Sequence, residues 1–72
     1  MQAIYIELVY TNDNFSGIGK CYKDRDNAVK RLRQLKAEHE PSVAQYDEDY
    51  LFIVYWRGID RVEVDFETKA LR

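Results

Sequence analysis

The sequence predicts one α+β domain, in which a single helix packs on one face of a four-stranded, mostly antiparallel sheet. Only residues 25–39 carry apolar side chains at helical spacing. Four other stretches, two before this segment and two after it, contain the β-branched and aromatic residues that favour strands. Those stretches are residues 3–10, 15–22, 50–56 and 62–67. The predicted order is therefore β-β-α-β-β, and the 72 residues form one domain with a thin core.

The first two predicted strands form a hairpin through a turn rich in Asn and Asp. The first strand alternates, but both of its faces contain apolar side chains. We expect Ile6 and Leu8 to point toward the helix, which places Tyr5 and Val9 on the opposite face. Two glycines in the second strand indicate a β-bulge or the edge of a loop.

The helix is predicted to begin after Asp24, which suits the N-cap position. It should end near His39, because Pro41 disfavours helical geometry in the residue before it. Residues 42–49 are then predicted to form a loop. The side of the helix that faces the core consists of Ala28, Val29, Leu32, Leu35 and His39.

The second hairpin has a predicted register. Gly58 and Ile59 suit a two-residue type II′ turn, which pairs Arg57 with Asp60. A three- or five-residue loop would exchange the two faces. In the favoured register the helix side of the sheet carries Leu51, Ile53, Tyr55, Val62, Val64 and Phe66.

The third predicted strand is apolar on both faces, although one helix can cover only one face of the sheet. The sheet face opposite the helix, here called the open face, should therefore expose apolar side chains, which is typical of an interaction surface. We predict that it contacts another protein or a second copy of this chain in a homodimer. The alternative is that a loop or residues 68–72 cover it. The predicted interface residues are Tyr5, Val9, Phe52, Val54 and Trp56, edged by Glu7, Glu63 and Asp65.

Charge is unevenly distributed, although the net charge is only −2. The basic helix could hold nucleic acid or form a solvated, ion-paired face. The acidic surface could imitate a phosphate backbone in the basic groove of a partner, or only protect a sheet edge from aggregation. The predicted basic residues are Lys30, Arg31, Arg33 and Lys36. The predicted acidic residues are Asp47, Glu48, Asp49, Glu63, Asp65 and Glu67.

The sequence predicts no catalytic residue, metal site or cofactor. Cys21 is the only cysteine, which excludes an intrachain disulfide and fits a reducing, cytoplasmic setting. Basic neighbours favour its reactive thiolate form, so a thiol-dependent role competes with that of a half-buried strand residue. His39 is the only histidine and suits the end of a helix better than a metal site. No apolar stretch has the length of a membrane span.

A hairpin that leads through Gly19, Tyr22 and Arg25 to Ala28 of the helix resembles small uncharacterised proteins of bacteria and their phages. The resemblance covers residues 3–36. Small phage proteins of this size often bind host machinery, as anti-CRISPR proteins do. The resemblance therefore implies a protein-binding function.

We therefore predict a non-enzymatic protein-binding module. In its narrower form this is a phage or mobile-element inhibitor of a host defence complex that handles nucleic acid. Direct contact with nucleic acid is not expected in this interpretation, and neither is contact with a membrane. Two alternatives remain open. One is a nucleic-acid-binding or transcription-regulatory module that uses the basic helix 25–39, and the other is a thiol-dependent small enzyme or regulator at Cys21.

Overall fold

A computed structural model describes residues 2–71 of the chain and confirms the α+β class with one helix. The sheet has five antiparallel strands rather than the four predicted. The additional strand lies between the helix and the second predicted hairpin. In chain order the elements are β1 (Gln2–Thr11), β2 (Asn14–Tyr22), α1 (Arg25–His39), β3 (Val43–Asp47), β4 (Phe52–Arg57) and β5 (Asp60–Leu71).

The last strand of the chain is the middle strand of the sheet, whose order is β2-β1-β5-β4-β3. β5 pairs with β1 along ten residues and with β4 in the predicted register, with Arg57 opposite Asp60. Gly58 in the connecting turn has a φ of 65°, which the first central position of a type II′ turn requires. The predicted register of this hairpin is confirmed. The strand β5 also includes residues 68–71, so these residues extend the sheet rather than cover the open face.

The core lies between α1 and one face of the sheet. The predicted helix face is confirmed, because Leu32 is fully buried and Leu35 is 4% exposed. His39 closes the far end of this face by stacking on Tyr55, with ring centroids 3.8 Å apart. The contribution of the second hairpin to the core also matches the prediction, with Leu51, Ile53, Tyr55, Val62, Val64 and Phe66 all buried.

Both predicted ends of α1 are confirmed. Asp24 occupies the N-cap position, but its side chain makes no capping hydrogen bond. Its backbone carbonyl instead accepts hydrogen bonds from the N–H groups of Asn27 and Ala28 at 3.1 and 3.3 Å. The helix ends at His39, and the N–H of Glu40 still bonds to the carbonyl of Lys36.

The orientation of β1 is the reverse of the predicted one. Across the ladder Glu7 is paired with Phe66 and Val9 with Val64, so these β1 side chains lie on the helix side. Tyr5 and Val9 pack against the core, and Glu7 is only 6% exposed. The assignment of Tyr5, Val9 and Glu7 to the open face is therefore wrong.

By the same alternation, Ile6 and Leu8 point away from the helix, although they were predicted to point toward it. Both faces of β1 carry apolar side chains, so alternation alone cannot tell which face the helix covers. The long pairing of β1 with β5 decides the orientation, and sequence alternation does not reveal which strands pair.

The segment predicted as a loop contains the short edge strand β3. Val43 and Tyr46 both pack toward the core, opposite Tyr55 and Ile53 of β4. A register shift after Val43 inserts Ala44 as an extra residue and puts two side chains three positions apart on the same face. This bulge interrupts the alternation of core-facing and outward-facing side chains from which a strand is predicted.

The strand β4 begins two residues later than predicted. Tyr50 lies in the preceding turn and is 78% exposed, and Leu51 has a φ of 56°. Leu51 still reaches the core, and its carbonyl accepts a hydrogen bond from the N–H of Phe66 at 2.9 Å.

Truncating Leu32 to alanine should destabilise the protein by about 2–5 kcal/mol, because the side chain is fully buried against the sheet and leaves a cavity. Urea denaturation followed by circular dichroism measures the change. Ile59→Ala is the matched control, since Ile59 is 92% exposed and its truncation should change stability by less than about 0.5 kcal/mol. Equal effects of the two substitutions would contradict this packing.

Candidate functional site

The open face is divided lengthwise by the middle strand. β5 places Glu63, Asp65 and Glu67 on this face at alternate positions, and these three carboxylates are here called the acidic column. β4 lies on one side and β1 on the other, so Asp65 stands between Phe52 and Leu8. A line of carboxylates with apolar side chains on both sides is the main feature of the open face.

The β4 side of the open face carries three of the predicted interface residues. Phe52, Val54 and Trp56 point away from the helix, as predicted. Trp56 is 47% exposed and offers a large aromatic anchor to a partner. Val54 lies outside the helix-side core but is only 2% exposed, so it offers almost no accessible surface.

The opposite side of the open face is formed by β1 and β2, and it includes Ile6 and Leu8, which were predicted to point toward the helix. Ile18 of β2 pairs with Leu8 and is 64% exposed. Phe15 is 57% exposed and packs edge-on against Tyr10, with ring centroids 5.6 Å apart. The residues that replace Tyr5 and Val9 on this face are Ile4, Ile6, Leu8 and Tyr10.

Asp65 is the most perturbed carboxyl of the acidic column. Burial, a hydrogen bond with Glu63 and the charge of Glu63 together raise the pKa of Asp65 to about 7, against the opposing charge of Arg61. Arg61 reaches the column from one end, with its Nη1 3.3 Å from Oε1 of Glu63. At neutral pH the column therefore carries less than its full charge, and a cation that binds there would complete the ionisation.

The remaining predicted acidic residues lie around the turn between β3 and β4. Oδ1 of Asp47 accepts hydrogen bonds from the N–H groups of Asp49 and Tyr50 at 2.8 and 3.1 Å. Asp47 therefore closes the turn, and the side chain of Asp49 is exposed. The six predicted acidic residues do not form one surface.

Glu48 connects this turn to the helix. Its carboxylate accepts two hydrogen bonds from Arg33, at 2.9 and 3.0 Å, and one from the hydroxyl of Tyr46 at 2.6 Å. The bonds from Arg33, followed by the bond from Tyr46, lower the pKa of Glu48 to about 2. Burial, followed by the same bond to Glu48, raises the pKa of Tyr46 to about 12.

The predicted basic surface of the helix is largely paired within the molecule. Besides Arg33, Lys36 lies over the ring of Tyr46 at 4.8 Å, and Nε of Arg31 lies 3.5 Å from Glu7. Lys30 is exposed. Three of the four bases thus have contacts that compete with phosphate binding, which favours the ion-paired alternative for this helix face.

Cys21 lies on β2 opposite Ile6 and is exposed. His39, the other candidate for reactive chemistry, is occupied by its stacking on Tyr55. Among residues 2–71 no three His, Cys, Asp or Glu side chains are grouped closely enough to hold a metal ion.

A second candidate site, a polar cleft beside Glu7, was missed by the sequence analysis. It has a volume of about 400 Å³ and is lined by Glu7, Gly19, Lys20, Tyr22, Arg31 and Gln34. Two β2 residues stand opposite the single β1 residue Glu7, which is the bulge that the glycines predicted. The signal in the sequence was Glu7, a charged residue within an apolar strand. The sequence analysis placed it at the edge of the open face.

Gly19 makes room for the carboxylate in this cleft. A Cβ at this position would lie 2.7 Å from Oε2 of Glu7, which is too close for any larger residue without rearrangement. Oε1 of Glu7 contacts the hydroxyl of Tyr22 at 3.4 Å and Nε of Arg31 at 3.5 Å. Burial and the charge of Glu7 raise the pKa of Tyr22, so its hydroxyl remains a donor at neutral pH.

No protein-family model, curated protein or solved structure matches the chain. The function therefore has to be inferred from the two sites themselves, and the resemblance to small phage proteins stays a prediction. Within residues 2–71, the single helix is too short and too polar to cross a membrane.

The raised pKa of Asp65 should make stability depend on pH. The folded carboxyl keeps its proton up to about pH 7, whereas the unfolded one loses it near the ordinary pKa of 3.8. Stability should therefore fall as the pH rises from about 4 to about 7. Asp65→Asn removes this pH-dependent loss of stability. At pH 8 the substitution should therefore stabilise the protein by about 1 kcal/mol, a value reduced to allow for solvent screening of Asp65.

Thermal denaturation at pH 4 and pH 8 measures the effect of Asp65→Asn. Glu67→Gln is the matched control in the same column and should show a smaller difference between the two pH values. A gain from Asp65→Asn that is equal at both pH values would contradict the raised pKa.

Proposed function

We propose that this chain is a non-enzymatic protein-binding module that docks its partner on the open face of the sheet. The observation that carries the proposal is the acidic column between two apolar strips, one on β4 and one on β1 and β2, in which Trp56, Ile18 and Phe15 are exposed. Apolar side chains favour burial against a partner, but the three carboxylates would lose hydration in the same contact. The interface becomes favourable when the partner supplies positive charge to the column.

The chemistry of the partner follows from this layout. The backbone positions of Glu63, Asp65 and Glu67 follow one another at about 6.8 Å along β5, since they are alternate residues of a strand. A segment that presents Lys or Arg side chains at similar spacing could pair with them. Apolar side chains on either side of those bases would pack on Trp56 and Phe52 across one strip and on Leu8 and Ile18 across the other.

A second copy of this chain, the other partner expected from the sequence, fits the open face less well. Two open faces in contact place the acidic column of one copy over that of the other, and like charges repel when they are desolvated. Contact between the open face of one copy and the basic helix of the next would be heterologous, which leads to rings or open-ended assemblies rather than to a two-fold dimer.

We therefore expect a monomer at pH 8. Multi-angle light scattering on the purified protein measures the mass, and a stable dimer at this pH that is lost in Trp56→Ala would show that the open face binds a second copy instead.

The narrower hypothesis is that the partner is a host protein that handles nucleic acid. Such proteins bind phosphates in basic grooves, and a line of carboxylates can occupy a groove of this kind. The charge of the acidic column supports an inhibitor of this kind, supplied by a phage or mobile element. The alternative, direct nucleic-acid binding by α1, is disfavoured because Arg33 is bound by Glu48 and Arg31 lies beside Glu7.

Two synthetic peptides of equal length and equal apolar content test the proposed chemistry. One is an amphipathic helix with Lys at every fourth position, about 6 Å apart, and Val and Leu at the positions that flank this line, and the other has Glu in place of Lys. We expect only the Lys peptide to shift the backbone NMR signals of Phe52, Trp56 and the acidic column. Trp56→Ala should weaken its binding by about tenfold, because an aromatic anchor of an interface is removed.

Ile59→Ala is the control for Trp56→Ala, since it truncates an exposed apolar residue in the turn and should leave the affinity unchanged. Glu67→Lys should also weaken binding, in this case through charge. Equal binding of the two peptides, or signal shifts confined to α1, would contradict the proposal. Once a natural partner is purified, the same variants show whether it uses the open face.

A further inference from the structure

The cleft beside Glu7 lies on the helix side of the sheet and is separate from the open face. Glu7 is only 6% exposed, yet the hydrogen bonding of its carboxylate is incomplete. Both contacts to Oε1 are long, at 3.4 and 3.5 Å, where a hydrogen bond is already weak. No hydrogen bond from residues 2–71 reaches Oε2.

Oε2 is accessible from the cleft. Every fully buried side-chain polar atom of the described residues has a hydrogen-bond partner. Because Oε2 has none, it is not fully buried, and it lies against Gly19, which lines the cleft. A largely buried carboxylate oxygen that faces a cavity needs a donor from water or from a ligand.

The charges around Glu7 restrict the ligand. Arg31 already places one positive charge beside the carboxylate, so an ammonium group or a metal cation would be repelled there. A neutral N–H donor is the group that suits Oε2. Lys20 lines the same cleft. Together with Arg31 it outweighs the charge of Glu7 by one, so the ligand should also carry an anionic group.

We propose that this cleft binds a guanine nucleotide. The N1–H and N2–H groups of guanine are two adjacent neutral donors: one would bond to Oε2, and the other would replace the long contacts to Oε1. Adenine presents an acceptor at N1, which a carboxylate repels. The phosphate would lie toward Lys20, and the volume of about 400 Å³ is within the usual range for small-molecule sites. The same base could come from a free nucleotide or from a single-stranded RNA.

The intact chain is titrated with GMP, AMP and guanosine, and the backbone NMR signals of residues 7, 19, 20, 22 and 31 are followed. We expect GMP to bind with a Kd of about 1 mM or tighter. GMP should bind about tenfold more tightly than AMP, because the adenine edge cannot pair with the Glu7 carboxylate as the guanine edge does. Guanosine should bind more weakly than GMP, because it lacks the phosphate.

Glu7→Gln should remove the preference for GMP over AMP, and circular dichroism shows whether this variant is folded. Lys20→Ala, at an exposed position, should weaken GMP but not guanosine, and it keeps the test decisive if Glu7→Gln does not fold. Glu63→Gln on the open face is the control and should bind GMP like the unsubstituted chain.

Two short RNA strands that end in guanosine or adenosine distinguish the source of the base. Tighter binding of the guanosine strand than of GMP assigns the cleft to RNA, and equal binding assigns it to the free nucleotide. Equal affinity for GMP and AMP, or the absence of saturable shifts at these five residues, would overturn the proposal.

Discussion

The pairing of β5 with strands on both of its sides is the interaction on which the rest of this structure depends. It joins the N-terminal hairpin to the β3–β4 hairpin, so without it neither half has a neighbouring sheet. Because successive side chains of β5 point to opposite faces of the sheet, each face of this strand has its own role. Val62, Val64 and Phe66 form the centre of the core, and the residues between them form the acidic column.

The same chemical group has three different roles in this protein, and its surroundings decide which. Glu48 is held by Arg33 and Tyr46 and fastens the β3–β4 turn to the helix. Asp65 has no such partner and sits between apolar strands, where ionisation is disfavoured. Glu7 is between these cases, since it is buried beside a cation but has one oxygen open to a cleft. A tightly bonded carboxylate stabilises the fold, whereas the other two remain available to a ligand.

The β4–β5 hairpin and the helix could be predicted because short-range chemistry specifies them. Gly58 sets the turn and hence the register, and the spacing of Leu32 and Leu35 defines the buried helix face. The orientation of β1 and the strand β3 could not be predicted. The first depends on a partner strand about sixty residues away in the chain, and the second is hidden by the bulge at Ala44.

The candidate sites were predictable to the same limited extent. Phe52 and Trp56 were placed correctly because the hairpin register was correct. Tyr5 and Val9 were exchanged with their β1 neighbours, so Ile6 and Leu8 of the open face were predicted to lie in the core. The cleft at Glu7 combines β1, a bulge of β2 and a turn of α1, and no pattern within one segment indicates that these three meet.

The central position of the last strand also determines when this protein can fold during synthesis. β1 is synthesised before β5 and finds its long partner only after β5 has been made, because Gln2 pairs with Leu71. Until then the edge of β1 that β5 will cover is unpaired, and both of its faces are apolar, which is the condition under which strands associate between chains. Contacts between such distant residues also slow folding. A nascent chain of this protein therefore depends on rapid completion, or on a chaperone, more than a helical protein of the same length would.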